Sequence, residues 1–317
     1  MENPFTFEIE EAADFETTEA GDYEAEFGQE AGTEQGSYEE GLPEKDFTEE
    51  EIQYSIIISP TSPGDSRVRV AAVTTSRLST LNFPFASICL IEVERNGKFT
   101  PWGSGSLIAP QVVLTARHVL LKDEQNRVLE PKVRITPGAD LAASAASKRT
   151  PASPAQQVAS SSRLKVDASL DYGIVALPRP FSRPAQSMLL EPSKTFPNGS
   201  FLNVAGFPGD KPPGTMWLHS EPVLTSGFTS THLKYTMDTC PGHSGSPVWA
   251  KMPDGRRIQV GVHTSGAGGE GGRCEHRPPR PVRGTNSGVR ITCPVIRQIQ
   301  GWCRGFGVRG PSIVGRC

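Results

Sequence analysis

Residues 236–249 read TMDTCPGHSGSPVW and place a serine among glycines and prolines. Such a run often marks a tight surface turn, and this is one interpretation of the stretch. In the other interpretation Ser244 is a nucleophile, and the glycines let backbone N–H groups face a reacting carbonyl. A serine hydroxyl is a poor nucleophile at neutral pH unless a neighbouring base takes its proton. The second interpretation therefore requires a base elsewhere in the chain.

Two other stretches carry candidates for the base and its partner. His118 follows an apolar strand pattern in GSGSLIAPQVVLTARHVLL, and Asp171 precedes one in SLDYGIVALP. Alone, such a histidine is usually structural or solvated, and such an aspartate is usually a turn or cap residue. Only the ordered set of His, Asp and Ser, each next to a predicted strand, is specific.

The motifs LTARHV, DYGIVAL and DTCPGHSGSPV resemble those of the chymotrypsin-like serine peptidases. The order differs from that of α/β-hydrolases, where Ser comes first, and Ser246 does not fit a G-x-S-x-G elbow. Within the superfamily the sequence is similar to the bacterial glutamyl endopeptidases over roughly residues 55–300. The similarity lies in SIIISPTSPGDSRVRV, VRITPGAD, VAGFPGDKPPGTMW, YTMDTCPGHSGSPVW, VGVHTSG and NSGVRIT.

The resemblance implies a serine endopeptidase that needs no cofactor and no metal. His118 would take the proton of Ser244 and deliver it to the leaving amine, while Asp171 would hold the His118 tautomer. The backbone N–H groups of Gly242 and Ser244 would form the oxyanion hole. A catalytically inactive protein that keeps this fold as an interaction scaffold is the alternative from another class.

The resemblance also places Thr239 and His263 in the primary specificity pocket. A hydroxyl and an imidazole can both hydrogen-bond a substrate carboxylate, and a protonated imidazole adds charge. Asp238 stands six residues before the serine, where trypsin-like enzymes of basic specificity have an acid, but the Asp-Thr pair also belongs to the glutamyl pattern. We expect cleavage after Glu, with Asp weaker; a trypsin-like peptidase of other specificity is the alternative. The run Thr264, Ser265 and Gly266 would pair with the substrate backbone.

The remaining sequence predicts an all-β fold of two antiparallel β-barrels. Short segments rich in Val and Ile alternate with Gly, Pro, Ser and Asn clusters, as in antiparallel barrels or sandwiches. The predicted strands are 55–59, 67–73, 86–94, 103–108, 111–116, 132–136, 172–177, 201–207, 259–265 and 288–292. An Ala/Ser/Pro-rich stretch at 139–162 is expected to be a long exposed excursion. Helical spacing of apolar residues predicts a short C-terminal helix over 293–306.

The six cysteines form an even set without a CxxC pair or the spacing of a structural zinc site. Disulfides are favoured over six reduced thiols because five of the six lie in the loop-rich last quarter. By resemblance Cys240 and Cys274 would brace the pocket walls, while the pairing of the other four stays open.

Charge divides the chain at about residue 51. Residues 1–51 hold nineteen acidic residues and one basic residue, a net charge of −18, which leaves 31 basic and 16 acidic residues, or +15, for the rest. We expect residues 1–54 to be a disordered acidic segment and residues 55–317 to be the protease domain. A Glu-rich leader ahead of a Glu-specific protease suggests a propeptide that associates with the basic body and is cut after Glu49, Glu50 or Glu51, or at Asp65. A tail for targeting or partner docking is the alternative.

The sequence contains neither a usual secretory signal nor a run of apolar residues long enough for a membrane helix. We expect a protein that is extracellular, or secreted without a recognisable signal peptide. Its expected partners are protein or peptide substrates, with no nucleic acid and no membrane.

His243, directly before Ser244, is not expected to be the base, because adjacent side chains diverge along such a loop. In trypsin-like zymogens an aspartate at this position pairs with the new N-terminal amine, and histidine cannot form that pair. Activation by cleavage would therefore use another switch, and release of the acidic segment is the one we expect.

Overall fold

The computed structural model describes residues 67–71, 78–121, 132–141, 156–181, 186–192, 196–197, 200–223, 225–266 and 286–317. They form two β-sheets and two α-helices, α1 (Arg117–Leu120) and α2 (Cys293–Gly305), with three short 3₁₀ turns at Phe85–Ser87, Ser161–Arg163 and Thr225–Gly227. The predicted acidic segment and the predicted strand at 55–59 lie outside the described residues.

The first sheet has seven strands. They are β2 (Ile88–Arg95), β3 (Lys98–Ala109), β4 (Val112–Thr115), β5 (Val133–Pro137), β6 (Gln157–Ala159), β7 (Leu164–Val166) and β8 (Gly173–Ala176). Neighbours pair antiparallel in the order β6–β5–β2–β3–β4–β8–β7. Because β4 and β8 are antiparallel neighbours, the segment that follows β4 lies beside the segment that precedes β8, at one end of these two strands.

The second sheet has eight strands. They are β1 (Val68–Val70), β9 (Leu189–Leu190), β10 (Phe201–Gly206), β11 (Met216–Pro222), β12 (His232–Tyr235), β13 (Pro247–Lys251), β14 (Arg257–Ser265) and β15 (Asn286–Arg290). Antiparallel neighbours follow the order β1–β11–β10–β13–β14–β15–β12, and β9 adds to β14 in parallel. The predicted all-β fold with a C-terminal helix is confirmed, and its two halves are these sheets.

The two sheets share buried surface through β2. Successive strand residues point to opposite faces, and all six residues from Ile88 to Val93 are buried. Cys89, Ile91 and Val93 pack in the core of the first sheet, together with the buried face of α2. Ile88 and Leu90 pack in a second cluster with residues of β10, β11 and β13. The strand β2 of the first sheet therefore contributes side chains to the cores of both halves.

The sequence missed several strands, all in segments with few Val and Ile residues. β6 and β7 were not predicted, and β6 lies within the stretch expected to be an exposed excursion. Gln157 and Ala159 of β6 are buried and pair with β5, so tertiary contact rather than composition makes this strand. β11, β12 and β13 were missed as well, because His, Ser, Glu and Pro interrupt their apolar pattern.

The cysteines are only partly in disulfides. Cys293 and Cys317 are joined, which ties the last residues to the start of α2. Cys89 and Cys303, whose pairing the sequence left open, are free and buried. Both thiols lie in the core of the first sheet and are small apolar side chains there. Cys274 lies outside the described residues, and the Cys240–Cys274 pair stays a prediction.

Candidate active site

His118 and Asp171 lie next to each other at one end of the paired strands, where β4 ends and β8 begins. His118 lies in α1, three residues beyond Thr115 of β4, and Asp171 lies two residues before Gly173, the residue paired with Thr115. The Nδ1 atom of His118 is 2.7 Å from Oδ2 of Asp171. The backbone N–H of His118 also donates to Oδ1 of Asp171 at 3.0 Å. Both carboxylate oxygens are thus used to fix one histidine.

A tight turn presents Asp171. The Oδ1 atom of Asp167 accepts N–H groups from Ser169 at 2.8 Å and Leu170 at 2.5 Å. The guanidinium of Arg117, next to His118, donates to the carbonyls of Asp167 and Ala168. The same element that carries the histidine therefore holds the turn that carries the aspartate.

Asp171 stays ionised in this setting. Burial by itself would raise its pKa, but the hydrogen bonds from His118 and the nearby Arg117 charge bring the pKa below its usual value. An ionised carboxylate on Nδ1 favours the tautomer with the proton on that nitrogen. The Nε2 atom of His118 then carries the ring lone pair and can act as a base.

The loop that carries Ser244 joins β12 to β13 and requires two glycines. Gly242 and Gly245 have φ values of 96° and 85°, in the left-handed region that favours glycine. A Cβ on Gly242 would lie 2.4 Å from the carbonyl oxygen of Phe207, and one on Gly245 would lie 2.1 Å from the carbonyl oxygen of Ser104. Neither position can accept a side chain without moving backbone.

Ser104 of β3 attaches this loop to the first sheet. Its N–H donates to the carbonyl of Ser244 at 2.8 Å, and its hydroxyl donates to the carbonyl of Gly242 at 2.7 Å. The same hydroxyl accepts the N–H of Phe207 at 2.9 Å. A Cβ on neighbouring Gly103 would lie 2.8 Å from both methyl groups of Val119 and 3.1 Å from the carbonyl oxygen of Ser244. Ser244 and the helix of His118 therefore both lie against this part of β3.

The N–H groups of the loop divide into two kinds. Those of Cys240, His243, Gly245 and Ser246 donate to groups of the protein. Those of Gly242 and Ser244 have no acceptor within the described residues. Gly242 and Ser244 are partly exposed, so an acceptor from outside the chain can reach these two N–H groups, as in an oxyanion hole.

Thr239 and His263 lie on two facing segments next to the loop. The hydroxyl of Thr239 is buried and has no hydrogen-bond partner in the described part of the chain. A Cβ built on Gly266 would lie 3.9 Å from this oxygen, so Thr239 faces the end of β14. His263 belongs to β14 itself, and its Nδ1 lies 2.6 Å from the hydroxyl oxygen of Tyr235.

His263 is uncharged in the folded chain, where no substrate carboxylate is present. Burial lowers its pKa to about 3, and the neighbouring His243 and His118 lower it while Asp171 opposes them. Burial also raises the pKa of Tyr235 well above its usual value. The pair is therefore a neutral phenol against a neutral imidazole.

The other predicted pocket residues lie at the end of β14. Thr264 is half-buried, Ser265 and Gly266 are exposed, and the Thr264 hydroxyl donates to the carbonyl of Ser287 in β15. Asp238 is directed toward β11, where its N–H donates to Nδ1 of His219 at 2.7 Å and its Oδ2 lies 4.0 Å from that nitrogen.

His243 is buried beneath the loop rather than in the cleft. Its Nδ1 accepts the N–H of Cys240 at 3.0 Å, and its ring lies edge-on to that of His263, 6.4 Å between centroids. Burial, with Arg67 nearby, lowers its pKa to about 3 although Asp210 and backbone hydrogen bonds act in the other direction. That His243 does not act as the base stays a prediction.

Sequence reasoning missed the residues that hold the site together. Ser104 stood in a predicted strand, GSGSLI, where alternating glycine and serine gave the one available signal of close backbone approach. Tyr235, Arg117 and Asp167 gave none, because each acts through a contact between distant segments. Within the described residues no group of three or more His, Cys, Asp or Glu side chains is placed to hold a metal ion. No helix in the described part is long and apolar enough to cross a membrane.

The sequence of this chain is similar to a known peptidase domain and to two named relatives. The family model of the trypsin-like peptidase domain matches residues 103–258. The glutamyl endopeptidase of Bacillus licheniformis is 30% identical over 136 residues, which are 42% of this chain and 39% of that protein. The glutamyl endopeptidase of Staphylococcus epidermidis is 38% identical over 65 residues, 20% of this chain and 21% of its own length. The matches thus span well under half the length of these two relatives.

A further relative matches over a longer stretch, and a solved structure shares this fold. A Bacillus subtilis protein named extracellular metalloprotease is 25% identical over 240 residues, 75% of this chain and 68% of that protein. A solved Glu endopeptidase in complex with MPD has a TM-score of 0.54 at 19% identity and covers 76% of this chain and 97% of its own. Together with the two-sheet fold, these similarities show a trypsin-like peptidase domain with a chymotrypsin-like fold in this chain, similar in sequence to the glutamyl endopeptidases.

Proposed function

We propose that this protein is a serine endopeptidase with Ser244 as nucleophile, His118 as general base and Asp171 as the residue that orients the base. The observation that carries the proposal is the pair of N–H groups without acceptors, those of Gly242 and Ser244, next to the hydrogen-bonded His118–Asp171 pair. A carbonyl oxygen bound between these donors would gain negative charge during attack and would be stabilised there.

The reaction then follows from the positions of these groups. His118 takes the hydroxyl proton as Ser244 Oγ attacks the carbonyl carbon, and it later gives that proton to the leaving amine. Asp171 stabilises the imidazolium that forms between these steps. Water attacks the acyl-enzyme in the second half, again through His118, and releases the acid product.

The pocket supports a preference for Glu before the scissile bond, with Asp weaker. Thr239 offers a buried hydroxyl that lacks a partner in the described part of the chain. If the Tyr235 hydroxyl donates to Nδ1 of His263, Nε2 carries the proton and can donate to a substrate carboxylate. The arriving negative charge would also favour protonation of His263, so the pocket becomes cationic only when it is filled.

A labelling experiment tests the nucleophile. The wild-type protein should react with a fluorophosphonate probe, and Ser244→Ala should not. Labelling of Ser244→Ala at the wild-type rate would contradict the assignment. Absence of labelling in a folded wild-type protein, with no turnover of any peptide, would favour the inactive interaction scaffold.

A peptide panel tests the specificity. Peptides that differ only in having Glu, Asp, Gln or Arg before the scissile bond should show the highest kcat/KM with Glu. We expect Thr239→Val to reduce the preference for Glu over Gln by about tenfold or more, since a hydrogen bond to a charged group is lost. Thr136→Val is a matched control, because its hydroxyl is also buried without a partner in the described residues but lies in β5. Preference for Arg would instead favour trypsin-like specificity.

We further propose that the protein acts outside the cell on protein or peptide substrates. The support is the Bacillus subtilis relative, whose name places that protein outside the cell. Recovery of the activity from the medium of the producing cells would support this proposal, and its confinement to the cells would contradict it.

A further inference from the structure

A buried ion pair lies next to the loop that carries Ser244, residues 236–246, which we call the nucleophile loop. The guanidinium of Arg67, just before β1, is completely buried, and the side chain of Asp210 is 16% exposed. The two join through two hydrogen bonds, Nη1 to Oδ1 at 3.0 Å and Nη2 to Oδ2 at 2.5 Å. Charges this deep are rare in proteins, because desolvation opposes them unless geometry is good. The proposed mechanism uses neither residue.

Asp210, the acidic member of this pair, belongs to the 207–210 turn, which contacts the loop. Gly209, next to Asp210, donates its N–H to the carbonyl of Pro241 at 2.8 Å. Gly242 packs so closely on the same turn that a Cβ on it would lie 2.4 Å from the carbonyl oxygen of Phe207 and 3.0 Å from the nitrogen of Gly209. A shift of the turn therefore moves the peptide whose N–H lacks an acceptor.

Arg67, the cationic member of the pair, is linked to the loop through His243. Arg67 is close enough to His243 to affect its protonation, and His243 in turn bonds the backbone of Cys240 and Trp217. Trp217 pairs with Arg69 of β1. The start of β1, the 207–210 turn and the segment before Ser244 thus form one contact network around the side chain of Arg67.

We propose that Arg67 and Asp210 are positioning residues that hold the N–H groups of Gly242 and Ser244 in the geometry that the oxyanion requires. The positive charge that stabilises this loop is thus that of Arg67, a residue within the chain. It is not that of a newly formed N-terminal amine. The proposal rests on the proposed peptidase function of Ser244.

The position of Arg67 restricts processing of the N-terminal segment. Every candidate cut, after Glu49, Glu50, Glu51 or Asp65, lies before Arg67. The sequence has no Asp or Glu between Asp65 and Glu92, and Glu92 is 3% exposed within β2. An enzyme that cuts after acidic residues can therefore remove the acidic segment without removing Arg67.

Full-length variants with a matched control test this role. Arg67→Met and Asp210→Asn should lower kcat and the rate of fluorophosphonate labelling by about tenfold or more, with KM changed by no more than about twofold, because oxyanion donors act in the transition state. Arg67→Lys should recover part of the loss. The control is Arg134→Met, which breaks the two-bond pair of Arg134 with buried Glu92 in the first sheet. It should leave kcat and labelling within about twofold of wild type.

Two outcomes would overturn the proposal. One is a folded Arg67→Met protein, by near-UV circular dichroism, that labels and turns over within about twofold of wild type. If Arg67→Met does not fold, a folded Asp210→Asn protein with unchanged kcat has the same meaning. The other is an active protein whose N-terminal residue lies after Arg67. A wild-type protein that is never labelled would contradict the proposed function itself and this role with it.

Discussion

At the scale of single residues, two buried imidazoles distinguish this site. His243 and His263 are 1% and 3% exposed, and both are neutral in the folded chain. The sequence motifs predict His263 in the specificity pocket, but they do not predict its protonation. Its charge depends on Tyr235 and on burial, which arise from strands far apart in sequence.

The neutral histidines predict a loss of stability in mild acid. Unfolded histidine takes up a proton near pH 6.5, whereas the folded pKa values are about 3, so the unfolded state binds more protons between these limits. Stability therefore falls as pH decreases through this window, by roughly 2 kcal/mol per histidine between about pH 7 and pH 5. Urea unfolding of the Ser244→Ala protein, which cannot digest itself under the proposed mechanism, measures this.

The titratable and charged groups that act on the two rings are Arg67 and Asp210 at His243, and His243, His118 and Asp171 at His263. His243→Gln should flatten the pH dependence by about half, since one of the two histidines is removed. Equal slopes in the two proteins would contradict the assignment of this effect to His243.

At the scale of elements, the central relationship is that of β3 with the nucleophile loop. The sequence predicted β3 and the loop separately, from apolar patterning and from glycines. It could not predict that Ser104 joins them, because the bonded groups are mostly backbone atoms. The missed strands β11 and β13 have the same cause, since pairing with β10 rather than their own composition makes them strands.

Replacing Ser104 should therefore affect both stability and catalysis. Ser104→Ala leaves the carbonyl of Gly242 and the N–H of Phe207 without the hydroxyl, and we expect a loss of about 2–3 kcal/mol in the free energy of unfolding. We also expect kcat to fall by roughly tenfold, as Gly242 is no longer held.

Ser106→Ala is the matched control in the same strand. Its hydroxyl is equally buried and donates to Oε1 of Gln259, away from the loop. Similar destabilisation with kcat near the wild-type value would support the role of Ser104. An equal fall of kcat in both variants would instead indicate a general effect of loosening β3.

At the scale of the whole molecule, charge separates the acidic segment from the body, with −18 before residue 52 and +15 after it. Composition alone reveals this division. Composition does not predict which part of the body would attract the segment, because this depends on where the basic side chains lie in the fold.

Processing of the segment should depend on the active site. N-terminal sequencing of purified active protein should find a start after Glu49, Glu50, Glu51 or Asp65. The Ser244→Ala protein made in the same way should keep Met1, since it cannot cut itself. A wild-type start at Met1 would count against a propeptide, and identical processing of both proteins would indicate another protease.

The buried thiols of Cys89 and Cys303 give this protein an internal reporter of opening. They lie in β2 and in α2 but in one core, and burial raises the pKa of both, that of Cys303 to about 11. Neither sulfur can meet an alkylating reagent while that core is closed, and opening also removes the burial that raises both pKa values, so reaction follows opening. Pulses of a thiol reagent followed by mass spectrometry would thus time the separation of α2 from the first sheet, with no engineered probe.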